Sequence, residues 1–484
     1  MIKTKIVVTI GPACSWPGAI AELINSGADI LRINFSHGNP DQHLEFLRAA
    51  RSAAKECDWS VAVMGDLCGP KIRLADFAEA PRMVKPGEKL TFVRVADSDE
   101  AAALTTTYPG LVDDVCVGHR LLINDGNIAT EIQTKNSDSF TCICRSGGLI
   151  QPGQGVNLPD TAISSESLTE KDLADLDWAV ENQLDFVALS FVRHSDDVVA
   201  ARELLRAVKS DIKLIAKIEK PQALDDLDAI IGQADGVLVA RGDLGVEIDM
   251  ARVPLVQKDI IHRCQAAGKA VIVATQMLSS MITSQIPTRA EVSDVANAIF
   301  DQADAVMLSG ETAIGAHPSL AVQTIERIAR VSEEFQDTHN SAVPTLDLDL
   351  LPRSQAALAR GVHRIATEAR CALVVVWSQS GATAGLLSKT RIGVPIVALS
   401  SEAAVCRRMS LDYGVIPWRM DLPKDPGDLL PELDGLIQKN EWAKPGDNIL
   451  VVTGHPLGTP TTTDTIQLYC LGYTELGSKP NHNS

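Results

Sequence analysis

Short, almost entirely apolar runs alternate along the chain with longer stretches in which apolar residues recur every three or four positions. The short runs are typical of parallel strands buried on both faces, and the longer stretches are typical of amphipathic helices. Eight of these runs precede residue 311: KIVVTI, ADILRINFS, SVAVMGD, DFVALSF, KLIAKIE, DGVLVAR, KAVIVAT and DAVMLSG. Eight strands that alternate with helices predict a (β/α)8 TIM barrel.

Two segments do not follow this repeat. Residues 69–163 contain several Pro-Gly and Asp-Gly turn pairs between short β-prone runs, which predicts a small β-barrel lid domain inserted after the third strand. Residues 353–484 return to alternation with ALVVVW, PIVALS, GVIPW and NILVVTG, which predicts a C-terminal open α/β domain. The barrel is therefore expected to comprise residues 1–68 and 164–340.

Composition restricts the class of partner. Of the 484 residues, 45% are hydrophobic and 22% are charged, as is usual for globular α/β proteins. The formal net charge of -18 disfavours nucleic acid and anionic membranes as partners. The cysteines are scattered, which indicates reduced thiols and a cytoplasmic location. We find no apolar run long enough for a signal peptide or a membrane span.

Polar residues follow the apolar runs at the strand ends where barrel enzymes form their active sites. The second run ends in RINFS, and the two-residue period of a strand places Arg32, Asn34 and Ser36 on one face. The third run ends at Asp66, and the last three end in ARGDLG, ATQM and SGET. A single polar residue at a strand end is usually a cap or a solvated loop residue, but this repetition favours an active site.

The fifth run, IAKIE, carries the strongest chemical signal. Its alternation places Lys217 and Glu219 on one face with Ile215 beneath them. An ammonium group is rarely buried in a parallel strand without a partner or a purpose, although a structural ion pair with Glu219 is the alternative interpretation. Glu219 and Asp243 follow adjacent strands and would offer two oxygen ligands to Mg²⁺ or Mn²⁺.

A second candidate site lies in the C-terminal domain. The segment WSQSGATA follows the strand ALVVV and leads into a helix, so its hydroxyls and glycine amides are placed to bind an anion. An ordinary helix N-cap at Ser378 or Ser380 explains the same pattern. Both interpretations remain open at the level of the residues.

The motifs together resemble those of the pyruvate kinase family. The matching segments, in order, are KIVVTIGPA, LRINFSHG, GDLCGPKIR, AKIEKPQAL, VARGDLGVEI, ATQMLSSMI, PTRAEVSDVANAI and MLSGETAIGAHP. They span the barrel from end to end, whereas the lid and the last 130 or so residues match only in short motifs. The resemblance implies the same three-domain plan, with a lid after barrel strand three and a C-terminal effector domain.

The resemblance also implies an activity and a set of roles. Phosphoenolpyruvate and ADP would give pyruvate and ATP, the last step of glycolysis, in a cytoplasmic homotetramer that uses Mg²⁺ or Mn²⁺ held by Glu219 and Asp243. The catalytic residues would be Lys217, Arg32, Thr275, Ser309 and Glu311. The substrate-binding residues would be Arg32, Lys217, Gly242, Asp243 and Thr275. The nucleotide-binding residues would be Asn34, His37 and Arg73.

The chain departs from the family pattern at informative positions. Many members bind K⁺ through residues that match Asn34, Ser36, Asp66 and the next position, which is Leu67 here, and they carry glutamate where this chain has Lys71. Lysine there resembles the K⁺-independent branch, so K⁺ is not expected to be required. An ammonium and K⁺ carry equal charge.

Two further departures concern phosphate binding. Gln154 stands where the family usually offers a lysine to the nucleotide phosphates. Ala382 replaces a common arginine in the loop that resembles the family's effector site. That loop implies activation by a sugar phosphate or AMP, bound by Ser378, Ser380, Gly381 and Thr383.

Two alternative functions fit parts of the pattern. A Mg²⁺-dependent pyruvate or oxaloacetate aldolase or lyase would share Glu219 and Asp243, but it would not explain Arg32, Lys217 and a lid together. A catalytically silent regulatory homologue would keep the effector domain, but it would not need Lys217 and the metal ligands.

Overall fold

A computed structural model describes residues 2–77, 80–94, 103–339, 346–347, 350–457 and 463–472 of the chain. The first part contains β1 (Lys5–Thr9), α1 (Pro17–Asn25), β2 (Ile30–Asn34), α2 (Pro40–Glu56) and β3 (Ala62–Asp66). Each of the three strands is a short apolar run, and nearly every residue in them is buried.

The lid follows β3. It contains β4 (Arg82–Val84), β5 (Lys89–Val93), α3 (Leu111–Asp114), β6 (Arg120–Ile123), β7 (Ile128–Lys135), β8 (Ser139–Ser146), β9 (Gly148–Ile150) and β10 (Val156–Asn157). Five strands form an antiparallel sheet in the order β10-β6-β7-β8-β5, and β4 pairs with β9 in a second, two-stranded sheet. Alternate residues of β7 and β8 are buried, including Cys142 and Cys144, so one face of this sheet packs on the lid core.

The chain then returns to the barrel. The elements are α4 (Glu170–Glu181), β11 (Phe186–Leu189), α5 (Ser195–Ala207), β12 (Lys213–Ile218), α6 (Pro221–Asp225), α7 (Leu227–Gln233), β13 (Gly236–Ala240), α8 (Arg241–Glu247), α9 (Val253–Ala266), β14 (Ala270–Ala274), α10 (Arg289–Phe300), β15 (Ala305–Leu308), α11 (Gly310–Ala313) and α12 (Pro318–Thr338). Short 3-10 turns cover Met250–Arg252 and Ser279–Ile282.

Eight parallel strands close into a barrel in the order β1-β15-β14-β13-β12-β11-β3-β2. Inward-facing side chains such as Val7, Ile30, Met64, Ile215 and Leu238 fill its centre. The outward-facing side chains pack against the helices in a larger core. The predicted TIM barrel is therefore confirmed, and its strand ends at one rim are free to carry polar groups.

The C-terminal domain is an open sheet with helices. Its elements are α13 (Arg353–Glu368), β16 (Leu373–Trp377), α14 (Ala382–Lys389), β17 (Ile396–Ser400), α15 (Ala403–Met409), β18 (Val415–Arg419), α16 (Leu429–Lys439), β19 (Asn448–Thr453) and β20 (Thr465–Cys470), with a 3-10 turn at Pro426–Asp428. The order is β18-β17-β16-β19-β20, in which only β20 is antiparallel. Nothing in the sequence pattern predicted this last strand, because none of its residues is buried and they do not form a continuous apolar run.

Across all of the helices that the structure describes, none combines the length and the hydropathy needed to cross a membrane.

Candidate active site

Asp66 is the centre of an ion network at the carboxyl ends of β2, β3 and β12. Its carboxylate lies 2.6 Å from Nη2 of Arg32 and 3.2 Å from Nζ of Lys217. Lys217 also lies 2.9 Å from Oε1 of Glu219. The side chains of Asp66 and Glu219 are both 1% exposed, and Ile215 lies in the barrel layer below. The network therefore connects the ends of three strands, as the alternation in RINFS and IAKIE predicts.

The opposite charges in this network keep one another ionised. Burial alone would raise the pKa of Asp66, but Lys217 and Arg32 outweigh burial and hold that pKa below its usual range. Burial alone would lower the pKa of Lys217, but Asp66 and Glu219 outweigh it and raise that pKa. Lys217 is therefore an ammonium and Asp66 a carboxylate at neutral pH, and a positive charge is fixed at the rim.

Glu219 and Asp243 are two acidic side chains that lie near each other. Burial raises the pKa of Glu219, the charge of Asp243 raises it further, and Lys217 opposes both effects. The second oxygen of Glu219 accepts a hydrogen bond from the backbone N–H of Phe191 at 2.7 Å, so this carboxylate has a fixed orientation.

This pair of carboxylates suits Mg²⁺ or Mn²⁺. The described residues contain no group of three His, Cys, Asp or Glu side chains able to enclose a metal. Mg²⁺ is commonly held by one or two carboxylates, with water and substrate oxygens completing its shell. Glu219 is buried and paired with Lys217, and the half-buried Asp243 lines the cleft, so the two carboxylates can offer oxygen ligands to such an ion there.

A second corner of the site is formed by Thr275 after β14 and the start of α8. Thr275 has a φ of 68°, which is unusual for a β-branched residue and is typical of functional positions. Arg241 secures this turn by donating to the Thr275 carbonyl at 2.8 Å while it pairs with Asp294 at 2.6 Å. The Thr275 hydroxyl accepts the N–H of Gly242 at 2.7 Å, so the expected carboxylate-binding amide and hydroxyl are in direct contact.

Ser309 and Glu311 follow β15 at the same rim. The Glu311 side chain is buried, and its two oxygens accept the backbone N–H groups of Leu278 at 3.0 Å and Ser309 at 2.8 Å. The carboxylate therefore joins the loops after β14 and β15. In this arrangement Glu311 orients the backbone around the site, and its predicted place in a proton relay remains a prediction.

Most residues of the expected K⁺ pocket lie together at the ends of β2 and β3, where Asn34 is paired with Asp66. Oδ1 of Asn34 accepts the Ser36 N–H at 3.1 Å, and His37 is exposed. Leu67 is 2% exposed, and its side chain belongs to the hydrophobic core between strands and helices. Its carbonyl accepts the Ser190 hydroxyl at 2.6 Å. Only the backbone of Leu67 therefore faces polar groups.

Lys71 and Arg73 lie on the lid side of the site. Lys71 lines a cleft between lid and barrel that Asp243 also lines. Among the residues that the structure describes, its ammonium has no hydrogen bond or ion pair, and the ionic partners of Asp66 are Arg32 and Lys217 instead. Arg73 donates to the Gly153 carbonyl at 2.8 Å.

Sequence reasoning missed Ser190. Lys217 donates to its hydroxyl at 2.7 Å, which completes the surroundings of the ammonium. The sequence does indicate Ser190, because this residue comes directly after FVAL in the fourth run, DFVALSF. That position is a strand end, where the other polar residues were sought. The hydroxyl of Thr9, which accepts from Arg32 at 2.9 Å, was missed in the same way.

The predicted anion loop begins α14. Gly381 is the N-cap residue with a φ of 83°, and no side chain of the cap satisfies the first turn. Ser378, Ser380 and Thr383 line a cavity there. The N-cap residue is therefore a glycine, and the Ser380 hydroxyl accepts the N–H of Ala382, the first residue of the helix, at 3.4 Å.

Comparison with known proteins agrees with this geometry. A family model described as the pyruvate kinase barrel domain matches residues 1–322, and one described as the pyruvate kinase alpha/beta domain matches residues 356–469. The pyruvate kinase of Agrobacterium vitis is 38% identical over 474 residues, which cover 98% of each chain. That of Geobacillus stearothermophilus is 37% identical over 472 residues, which cover 97% of this chain and 80% of the relative.

A solved structure extends the likeness to three dimensions. The crystal structure of a pyruvate kinase from Cryptosporidium parvum superposes with a TM-score of 0.88 and 31% identity, over 97% of this chain and 96% of the other. Fold, rim chemistry and relatives define a phosphotransferase built on a (β/α)8 barrel. The chain belongs to the pyruvate kinase family.

Proposed function

We propose that the protein transfers the phosphoryl group of phosphoenolpyruvate to ADP, giving pyruvate and ATP, with Mg²⁺ or Mn²⁺. The observation that carries this proposal is the network in which Lys217 lies 3.2 Å from Asp66 and 2.9 Å from Glu219. Phosphoryl transfer passes through a loose transition state, so an enzyme mainly positions its substrates and stabilises charge. A buried ammonium beside a pair of acidic metal ligands suits that task.

Each group has a distinct part in this mechanism. Glu219 and Asp243 would hold the metal ion, which would supply positive charge to the substrate oxygens when bound. Lys217 and Arg32 stabilise the negative charge of the phosphoryl group, because their ammonium and guanidinium groups are already fixed by Asp66. The Gly242 and Asp243 amides and the Thr275 hydroxyl bind the substrate carboxylate.

A proton must then be added to carbon in the enolate of pyruvate. A threonine hydroxyl is too weak an acid to supply it alone, so we propose delivery through water near Thr275. Ser309 and Glu311 would support that water. Asn34, His37 and Arg73 would bind the nucleotide at the edge of the lid.

A coupled assay tests the activity. The protein is incubated with phosphoenolpyruvate, ADP and Mg²⁺, and pyruvate is followed through NADH oxidation. We expect turnover that needs both substrates and the metal. An aldolase or lyase would release no pyruvate from phosphoenolpyruvate but would release it from oxaloacetate or an aldol substrate, and a silent regulatory homologue would release none from either, so each alternative has its own outcome.

We further propose that the enzyme works without K⁺. Lys71 supports this, because its ammonium lines the cleft beside Asp243 and has no other partner among the described residues. Full activity is expected in a tetramethylammonium buffer, whereas Lys71→Glu should make activity rise with added KCl. A steep rise with KCl in the wild type would contradict the proposal.

A phosphorylated effector is proposed for the loop before α14. The Ser378, Ser380 and Thr383 side chains around the cavity, at the N-terminus of α14, support binding of a phosphate group. AMP and glucose 6-phosphate, titrated while substrate cooperativity is measured, should lower the half-saturating phosphoenolpyruvate concentration. The same preparation tests the expected homotetramer by light scattering.

A further inference from the structure

Glu247, at the end of α8, is a buried carboxylate for which the mechanism above has no use. It is 3% exposed, and Oε1 lies 2.5 Å from Nζ of Lys220. Lys220 is itself 7% exposed and lies over the Phe191 ring, 5.7 Å from its centre. Burying an ion pair has a large desolvation cost, so it indicates a need for a defined geometry at this place.

The same carboxylate oxygen also binds the lid. The side-chain amide of Asn157, at the end of β10, donates to Oε1 of Glu247 at 2.8 Å. The other oxygen, Oε2, is buried and accepts no hydrogen bond from the described residues. One atom of Glu247 therefore connects the barrel rim with the lid.

The three connected segments are those that set the metal site. Lys220 directly follows Glu219, and Glu247 ends the short helix that carries Asp243 near its start. Phe191, beneath Lys220, donates its backbone N–H to Glu219. The cleft lined by Lys220, Asp243 and Asn157 lies directly between them.

We propose that Glu247 is a positioning residue that holds the Glu219 strand end, the Asp243 helix and the lid in one arrangement. Groups behind metal ligands fix ligand orientation, and their loss typically weakens metal affinity about 10- to 100-fold. Lid contacts instead govern closure over the substrates. The contact of Glu247 with Lys220 should therefore control metal affinity, and its contact with Asn157 should control lid closure. This inference rests on the proposed function only for its kinetic readout.

The contact of Glu247 with Lys220 and its contact with Asn157 can be removed by separate substitutions. Lys220→Met combined with Glu247→Gln replaces the buried ion pair by neutral groups of similar size, and Asn157→Ala removes only the lid contact. Asn127→Ala is the matched control, because the Asn127 amide bonds to the Asn124 carbonyl within the lid. Binding of Mn²⁺ to the substrate-free protein is measured by electron paramagnetic resonance, and lid mobility by hydrogen exchange.

We expect the double variant to bind Mn²⁺ about tenfold more weakly than the wild type. Asn157→Ala should bind Mn²⁺ within about twofold of the wild type, lose roughly tenfold in kcat, and exchange faster around residues 156–158. Asn127→Ala should show none of these effects. If the double variant does not fold, Glu247→Gln alone serves for the Mn²⁺ measurement, with the same direction expected.

The inference would be overturned if the double variant or Glu247→Gln bound Mn²⁺ as tightly as the wild type. It would also be overturned if hydrogen exchange were equally fast in Asn157→Ala and Asn127→Ala. Its failure is separable from failure of the proposed function. If the wild type did not convert phosphoenolpyruvate and ADP, the proposed function would fail, but metal binding and exchange would still judge Glu247. If the wild type turned over normally and the variants matched it, only the role of Glu247 would be lost.

Discussion

The barrel carries a buried ionic cluster at each end, and the two clusters differ in whether a cleft lies beside them. At the floor, Lys389 of α14 lies 2.8 Å from Asp304, and both side chains are 0% exposed. Arg391 lies 3.2 Å from the same oxygen, and the other oxygen of Asp304 accepts the Val271 N–H at 2.8 Å. This cluster joins the C-terminal domain to the barrel, and both oxygens of its central carboxylate are satisfied.

The rim cluster shares this pairing pattern but lies beside a cleft. Lys217 serves both Asp66 and Glu219, as Lys389 serves both Asp304 and Asp412 at the floor. Glu219 lies near Asp243, which lines the cleft between lid and barrel. In TIM barrels the carboxyl ends of the strands carry chemistry and the opposite end carries stability. A buried charge alone therefore does not identify an active site, whereas a group of buried charges beside an open cleft does.

The largest expected effect is on stability at the floor. Lys389→Ala leaves Asp304 buried with only part of its neutralisation, so the free energy of unfolding should fall by about 3 kcal/mol. Thermal denaturation measures the loss. The control is Arg364→Ala, which breaks an exposed pair with Glu368 on α13 and should change little. Equal midpoints for the two variants would contradict the assignment of the floor cluster to stability.

The next effect is on activity at the rim. Lys217→Met removes a charge placed for the transferred phosphoryl group, so kcat should fall about 10²- to 10³-fold. Circular dichroism and the melting midpoint should show a smaller loss of stability than in Lys389→Ala, because the Lys217 side chain is 12% exposed whereas that of Lys389 is fully buried. If Lys217→Met melted at as low a temperature as Lys389→Ala but kept its kcat, the rim lysine would serve stability instead of activity.

Acid should weaken the rim cluster through Asp66. The pKa of Asp66 is lower in the folded chain than its unfolded value of about 3.9, so its contribution to stability is complete above that pH. The contribution is lost as the pH falls through the folded pKa. The difference in melting midpoint between the wild type and Asp66→Asn should therefore be constant near neutrality and shrink below about pH 4. A difference that stays unchanged down to pH 3 would argue against an ionised, paired Asp66.

The smallest expected effect concerns the lid. The Gln154 amide closes its own turn, accepting from Gln151 at 3.0 Å and donating to Leu149 at 3.1 Å, and it brings no charge to the site. Gln154→Lys should lower the KM for ADP by about two- to fivefold, with the gain reduced at high salt. Gln133→Lys, which adds the same charge on an exposed lid strand, is the control. An equal change in both variants would show only a general effect of net charge.

The barrel could be predicted because its strands are buried on both faces and therefore read as continuous apolar runs. The shared face of Lys217 and Glu219 above Ile215 followed from the same geometry, and the structure confirms it. The antiparallel β20 was missed because an exposed edge strand needs no apolar run.

The pairings within the site were harder to predict. Asp66 was expected beside Lys71, whereas its ionic contacts are with Arg32 and Lys217. Strand order decides such contacts. In the barrel, β3 lies between β2 and β11, and β12 is the next strand after β11, whereas Lys71 lies beyond the end of β3 in the segment that leads into the lid. The Glu247 contacts with Lys220 and Asn157 join three separate segments, and no local pattern encodes them.

We expect the rim of the barrel to bind a divalent metal ion and the floor not to bind one. Electron paramagnetic resonance of bound Mn²⁺ tests it most directly, on the wild type, Glu219→Gln and Lys389→Met. We expect one Mn²⁺ per chain in the wild type, at least tenfold weaker binding in Glu219→Gln, and unchanged affinity in folded Lys389→Met. Wild-type affinity in Glu219→Gln, or no bound Mn²⁺ in the wild type, would contradict the account.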